Sequence, residues 1–377
     1  MTDAPLPQAD QAPGAPHPRD TAILFGQDEA ERGFLEAVAS DRLHHAWLLA
    51  GPKGVGKATL AWRIARFLLA REDHDGQDAL FGAPPPPTSL DVSPDHPVAR
   101  RMASGAEGRL FLLRRSYDEK TQKFSAEIRV DEARKLKNFF ALSSADGGHR
   151  VVIVDAADEL NTSAANALLK ILEEPPADTT LLLVSHHPSG LLPTIRSRCR
   201  TLRCSTLSPE AMAQALAQAE ADLSASPLAL SELSQGSVGA ALRLLHLDGL
   251  ETYAKLTNLF SKAPGLDRAA AISLADSVAG RGKADHLAQM VALIETFLAR
   301  AARLGATGAA ASEAAPGEAA TLARLSPTPA AARQWADLQQ KLVAKARHAM
   351  AVNLDPSALI LDMILKVDET ASQTTTP

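Results

Sequence analysis

A short segment of the chain combines three glycines with a lysine. Residues 51–57 read GPKGVGK. Gly51, Gly54 and Gly56 allow the backbone to curl so that several N–H groups point at one phosphate, and Lys57 supplies a cation that neutralises it. The segment therefore predicts a site for the phosphates of a nucleotide, with a plain glycine-rich turn as the alternative.

The two residues after the lysine decide which chemistry such a site could perform. Phosphate loops of this kind carry Ser or Thr directly after the lysine, as a ligand of Mg²⁺. Here that residue is Ala58, and the hydroxyl of Thr59 comes one position later. Neighbouring helix residues point about 100° apart. We assign Ala58 and Thr59 to the nucleotide site, but expect poor placement of a metal ion.

An acidic residue follows a second apolar run. Residues 151–154 read VVIV and Asp155 comes next. In α/β sheets, ligand chemistry collects at the carboxyl ends of the strands. Ala156 stands where an ATPase needs a glutamate to polarise water. Asp158 and Glu159 lie too far along the chain to occupy the same place. We expect ATP or ADP to bind without hydrolysis; the alternative role for Asp155 is a helix cap.

These residues require a fold that brings strand ends together. Apolar runs alternate with segments of helical spacing, which predicts a parallel α/β sheet covered on both faces. Strands are predicted at residues 46–50, 110–113, 151–154 and 181–184, and helices at 57–70, 131–140 and 164–174. After Cys204 the pattern is helical.

The chain divides into segments of different composition. We expect a disordered tail over 1–20, with order beginning near Ile23, and a second disordered tail over 369–377. Residues 304–326 are expected to form a loose loop. The predicted domains are an α/β domain at 21–204 with an irregular insertion at 71–107, a small helical domain at 205–248 and a larger one at 249–368.

Composition excludes several classes of protein. The net charge is −5 and only two cysteines occur, which argues against a disulfide framework and favours a cytoplasmic location. No apolar run is long enough for a membrane span, and no signal peptide is expected. The insertion lacks cysteine, and His74 with His96 cannot supply the four ligands of a zinc site; no metal site is predicted.

Three further segments carry a resemblance to a known family. They are HHAWLLAGP at 44–52, NALLKILEEPP at 166–176 and Ser197-Arg198-Cys199. From about residue 23 to 246 the chain resembles the AAA+ clamp-loader subunits of bacterial DNA polymerase III. The resemblance implies an AAA+ P-loop domain, a small helical lid domain and an all-α collar domain. It also implies that Arg198 is an arginine finger for an adjacent subunit, where a surface salt bridge is the alternative.

Departures from the family narrow the expected role. Gly239 stands where the family's ATPases carry a second sensor arginine, and the first sensor position falls on Ser185 or His186. With Ala58 and Ala156, this implies a subunit that is not catalytic alone. It would support ATP-dependent loading of a sliding clamp onto primed DNA, beside gamma/tau and delta subunits. The alternatives are an active gamma/tau-like or DNA-repair ATPase, or a phosphate-loop kinase.

Overall fold

The computed structural model describes most of the chain. The described residues are 7–12, 14–21, 23–40, 43–71, 86–142, 148–221, 226–309, 312–352 and 354–374. They form two compact units, one of residues 1–219 with 236–239 and one of residues 220–235 with 240–377. The described residues include no helix with the length and hydropathy needed to cross a membrane. The predicted three-domain boundaries stay a prediction.

A five-stranded sheet forms the centre of the first unit. Its strands lie in the order β2-β5-β6-β1-β7, and every neighbouring pair is parallel. The strands are β1 (Ala46–Ala50), β2 (Leu110–Arg114), β5 (Arg150–Asp155), β6 (Thr179–Ser185) and β7 (Arg200–Arg203). A separate hairpin pairs β3 (Tyr117–Asp118) with β4 (Lys123–Phe124). The prediction of a parallel sheet flanked by helices is confirmed.

Helices cover this sheet and supply its core. They are α1 (Asp28–Ala39), α2 (Lys57–Arg71), α3 (Pro97–Ser104), α4 (Val130–Leu142), α5 (Thr162–Glu173), α6 (Pro193–Arg196) and α7 (Pro209–Gln218). Helix α5 starts where the Asn161 side chain accepts the Ala164 N–H at 2.9 Å, as an N-cap should. Its Leu168 is fully buried against Val152 and Leu181. Burial of such a leucine contributes roughly 1.5–3 kcal/mol.

Two regions of the first unit differ from the sequence predictions. The insertion was expected to be irregular, yet residues 97–104 form α3, whose start is capped by His96 Nδ1 accepting the Val98 N–H at 3.2 Å. The rest of that expectation falls partly on residues 72–85, including His74, outside the described residues. The N-terminal tail also has structure: residues 18–20 form a 3-10 turn and His17 is buried.

The regular secondary structure in the described residues of the second unit is all helical. Its helices are α8 (Pro227–Ser234), α9 (Val238–His246, which begins in the first unit), α10 (Gly249–Phe260), α11 (Arg268–Asp276), α12 (Ala284–Thr307), α13 (Glu318–Leu325), α14 (Pro329–Ala351) and α15 (Pro356–Thr374). The predicted all-helical C-terminal region is confirmed. Two details were wrong, because part of the expected loop at 304–326 is helix α13, and the expected tail after 368 continues α15, where Ala371 is fully buried.

Candidate nucleotide site and the Arg198 segment

The carboxyl ends of four parallel strands bring the predicted residues to one edge of the sheet. Strand β1 runs into the phosphate loop, β5 ends at Asp155 and β6 ends at Ser185. In register, Ala50 lies beside Ser185 and Arg114 of β2 lies beside Asp155. The sequence-predicted loop and acid therefore belong to one region, as the crossover topology requires.

The glycines of the phosphate loop have conformations that side chains disfavour. Gly54 and Gly56 have φ of 79° and 100°, which glycine adopts without steric cost. Space is limited as well. A Cβ on Gly54 would lie 2.4 Å from Ser237 Oγ, and one on Gly56 would lie 2.6 Å from Leu24 Cδ1. Gly54 is thus restricted by its φ and by the nearby Gly239 backbone, whereas Gly56 is restricted by its φ, because the Leu24 methyl group can move aside.

Lys57 is buried at the first position of α2. It is 3% exposed and donates a hydrogen bond to Gly51 O at 2.7 Å and another to Pro52 O. Burial lowers the pKa of Lys57 to about 8, although nearby groups including Asp155 oppose that shift. The ammonium is thus held beside the loop at the helix N-terminus, where an anion would also gain from the helix dipole.

The residues after Lys57 offer no hydroxyl at the first position, and the expectation of poor metal placement stays a prediction. Ala58 is half-buried and carries no hydroxyl, while Thr59 is buried at 9% exposure. Thr59 follows Ala58 on α2 and so points in another direction. In the described chain, no group of three or more His, Cys, Asp or Glu side chains could hold a metal ion.

Asp155 lies half-buried at the end of β5. Burial raises the pKa of Asp155 to about 7, and the charges of Asp10 and Glu159 raise it further, against the opposing effect of Lys57 and Lys53. Ala156 beside it is 3% exposed. A carboxyl group in this state holds its proton more readily than an ordinary aspartate.

Asp158 has a role that the sequence did not reveal. Its carboxylate accepts the Ser185 hydroxyl at 2.8 Å, the His187 N–H at 3.2 Å and the His186 N–H. These bonds fix the end of β6, where the first sensor position was expected. Ser185 is thereby engaged, while burial and the charges of Lys57 and Lys53 lower the pKa of His186 to about 3.

Replacing Asp158 with alanine is expected to lower the free energy of unfolding by about 2–4 kcal/mol, because three hydrogen bonds to a carboxylate are lost. The measurement is urea unfolding followed by circular dichroism. Asp131→Ala is the matched control, since Asp131 forms only an exposed ion pair with Arg134. Equal stability of the two variants would contradict the positioning role of Asp158.

Gln27 is a second residue whose role was not predicted. It is 3% exposed, and its amide group donates to Val55 O at 2.9 Å and to Ser205 O at 2.8 Å while accepting the Ser205 N–H at 3.0 Å. Gln27 therefore ties the phosphate loop to the segment after β7. The signal in the sequence was weak, because a single glutamine before a helix is common.

Residues 236–239 lie directly against the phosphate loop. The Gly239 N–H donates to Gly54 O at 2.9 Å, and Ser237 Oγ donates to Lys53 O at 2.8 Å. A Cβ on Gly239 would lie 3.0 Å from Gly54 Cα. The position where the resemblance would place a sensor arginine is thus closely packed against backbone.

Arg198 follows the short helix α6. Its Nη1 donates to Thr194 O at 3.0 Å and its Nη2 lies 2.9 Å from Glu173 Oε1. The side chain is 36% exposed and Glu173 is 44% exposed, so this is a surface ion pair of small energetic value. The guanidinium is accessible to a partner at little cost to the fold.

Part of the chain is similar in sequence to known proteins. Residues 26–208 match the family model described as DNA polymerase III, delta subunit. The subunit delta′ of Pseudomonas aeruginosa is 38% identical, over 54% of this chain and 56% of that protein. The subunit delta′ of Bacillus subtilis is 30% identical, over 59% and 61%.

A similarity to a different subunit type is weaker. The gamma/tau subunit of Mycobacterium bovis is 28% identical, over 53% of this chain and 31% of that protein. The chain spans a little over half the length of the delta′ relatives named above. Over residues 26–208, slightly less than half of its length, this chain is similar to the delta′ and gamma/tau subunits of DNA polymerase III.

Proposed function

We propose that the chain acts as the delta′ subunit of a DNA polymerase III clamp loader, donating Arg198 to a neighbouring ATPase subunit. The observation that carries this proposal is a contrast. Arg198 is partly exposed and forms an ion pair with the exposed Glu173, whereas the chain's own phosphate loop is followed by Ala58 and its strand-end acid by Ala156. One part of an ATPase site is available, and two other parts are missing.

The residues present fit a nucleotide only in part. The positive-φ glycines and Lys57 are suited to the phosphates of ATP or ADP. A Mg²⁺ ligand from the start of α2 is lacking, and so is an acid to polarise the attacking water. ATP or ADP bound here would stay unhydrolysed, and the chain's own residues would hold its phosphates.

Arginine donation follows from simple electrostatics. During phosphoryl transfer, negative charge is spread over the transferred group, and a guanidinium beside it stabilises the transition state. Breaking the ion pair between Glu173 and Arg198 costs little free energy, because a surface ion pair contributes about 0–1 kcal/mol. Arg198 can therefore leave Glu173 when a neighbouring subunit's nucleotide offers a stronger anion.

The partners follow from the proposed role. Gamma/tau subunits would hold the ATP that Arg198 reaches, and a delta subunit would complete the assembly. The helical second unit would form a collar that holds the subunits together. The complex would place a sliding clamp on primed DNA, so this chain would contribute to DNA replication without a reaction of its own.

Reconstitution tests the proposal. With gamma/tau and delta subunits of the same organism, clamp loading on primed DNA should depend on adding this chain, as measured by clamp retention on DNA. The chain alone should hydrolyse ATP no faster than buffer. ATP turnover by the chain alone that disappears in Lys57→Ala would contradict the non-hydrolysing role. Clamp loading that is equal without the chain would contradict the subunit assignment.

A further inference from the structure

Residues before the family-matched region bind to the outside of α2. His17 is 4% exposed and its ring meets that of Trp62 edge-on, with centroids 5.5 Å apart. The guanidinium of Arg19 lies 5.8 Å from the centre of the same ring, and Arg66 donates to Arg19 O at 2.7 Å. Aromatic and cation–π contacts of this kind form a stable apolar anchor.

A second attachment lies seven residues earlier and is entirely polar. The side chain of Asp10 is 2% exposed, forms an ion pair with Arg114 and lies 3.2 Å from His17 Nε2. Gln8 Oε1 accepts hydrogen bonds from Arg114 Nη1 at 3.0 Å and from Arg19 Nη2 at 2.5 Å. Gln8 and Asp10 thus occupy the guanidinium of Arg114.

The polar attachment lies at the edge of the nucleotide site. Arg114 ends β2 and is the register partner of Asp155. The negative charge of Asp10 reaches that acid, since it is the largest effect after burial among those that raise the pKa of Asp155. The pKa of Asp10 itself is lowered, because His17 and Arg114 together outweigh the opposing effect of burial. Asp10 is therefore an anion next to a carboxyl group.

We propose that residues 7–12 and 14–21 are an intramolecular strap, in which Asp10 occupies Arg114 and keeps nucleotide phosphates out of the adjacent site. Carboxylates and phosphates compete for the same guanidinium geometry. A bound nucleotide would bring further negative charge to a place where Arg114, the register partner of Asp155, is already paired with Asp10. The two attachments can act separately. The polar contacts of Gln8 and Asp10 with Arg114 can be replaced by contacts with water, while the contact of His17 with Trp62 keeps the strap attached.

The strap is separate from arginine donation, since Arg198 lies on a different segment and takes no part in it. The test therefore uses the isolated full-length chain. Binding of mant-ADP with Mg²⁺ is titrated by fluorescence for the parent chain, for Asp10→Ala and for a chain lacking residues 1–12. That truncation keeps His17 and Arg19, so the anchor on Trp62 remains. Both altered chains should bind with a Kd at least tenfold lower than the parent.

Two control variants locate the effect. Asp95→Ala removes an aspartate that is also paired with an arginine, Arg100, but is exposed at the surface; its Kd should equal the parent value. Asp10→Ala combined with Lys57→Ala should lose the gained binding. The proposal is overturned if neither Asp10→Ala nor the truncation changes the Kd by more than threefold, if neither binds mant-ADP, or if the gain survives Lys57→Ala.

Discussion

Arg198→Ala is expected to slow ATP hydrolysis at the neighbouring subunit of the reconstituted clamp loader by roughly 10³-fold or more, the range seen when an arginine finger is lost. The expected cause is loss of charge stabilisation in the transition state. Assembly should be unaffected, because the only ion pair lost is the exposed one with Glu173. Rapid-quench measurement of the first turnover would show one site's fast phase disappearing while the other sites keep theirs.

Two further variants separate arginine chemistry from general effects of the segment. Arg198→Lys keeps the charge but loses the planar fork of donors, and should recover only part of the rate. Arg196→Ala, two residues earlier, removes an arginine whose hydrogen bond is to Pro188 O at 3.3 Å, and should leave the rate unchanged. A fast phase that is intact in Arg198→Ala, with the complex fully assembled, would rule out the donated arginine.

Glu318→Gln is expected to lower the free energy of unfolding of the helical second unit by about 3–5 kcal/mol. Glu318 is fully buried, and its Oε1 accepts from Arg300 Nε at 2.6 Å and from the Tyr253 hydroxyl at 2.5 Å. Removing one charge leaves Arg300, itself 2% exposed, without its fully buried counter-ion, while its other carboxylate partner, Glu232, is partly exposed. Breaking a buried pair on one side has costs of this size. Urea unfolding followed by circular dichroism measures the loss.

The cluster also offers its own controls. Glu251→Ala removes an exposed partner of Lys255 and should cost less than about 1 kcal/mol. A double variant, Arg300→Met with Glu318→Met, should recover much of the stability lost in Glu318→Gln, because both nearly inaccessible charges are removed and the remaining Glu232 side chain is 25% exposed. A loss below about 1 kcal/mol in Glu318→Gln would show that water or rearrangement compensates Arg300, contrary to the expectation.

Local patterns were sufficient to predict the centre of the fold. The apolar runs at 46–50, 110–113, 151–154 and 181–184 predicted four of the five sheet strands closely. The glycine spacing before Lys57 predicted where a phosphate loop would stand between strand and helix. Such features depend on residues adjacent in sequence, so they can be recognised without knowledge of tertiary contacts.

Other features depend on partners distant in sequence. The sequence predicts no partner for Asp158. Its hydrogen-bond partners lie 27 residues or more away along the chain, beginning at Ser185. The polar composition of residues 1–20 predicts disorder, yet His17 is buried against Trp62. Residues 304–326 seemed a loop, because no local pattern reveals that Glu318 pairs with Arg300. The composition of a segment indicates how polar it is on average. It does not identify individual polar residues, such as His17 and Glu318, that are buried against a partner.

The contact between Gly54 and Gly239 limits how this chain could acquire an ATPase site of its own. A hydroxyl at position 58 would stand on a half-buried residue, and a glutamate at position 156 would replace an alanine that is 3% exposed. An arginine at 239 would first need the two backbones to separate, because even its Cβ would lie 3.0 Å from Gly54 Cα. Any side chain at position 239 would therefore need the facing main chain at Gly54 to move by a few tenths of an ångström.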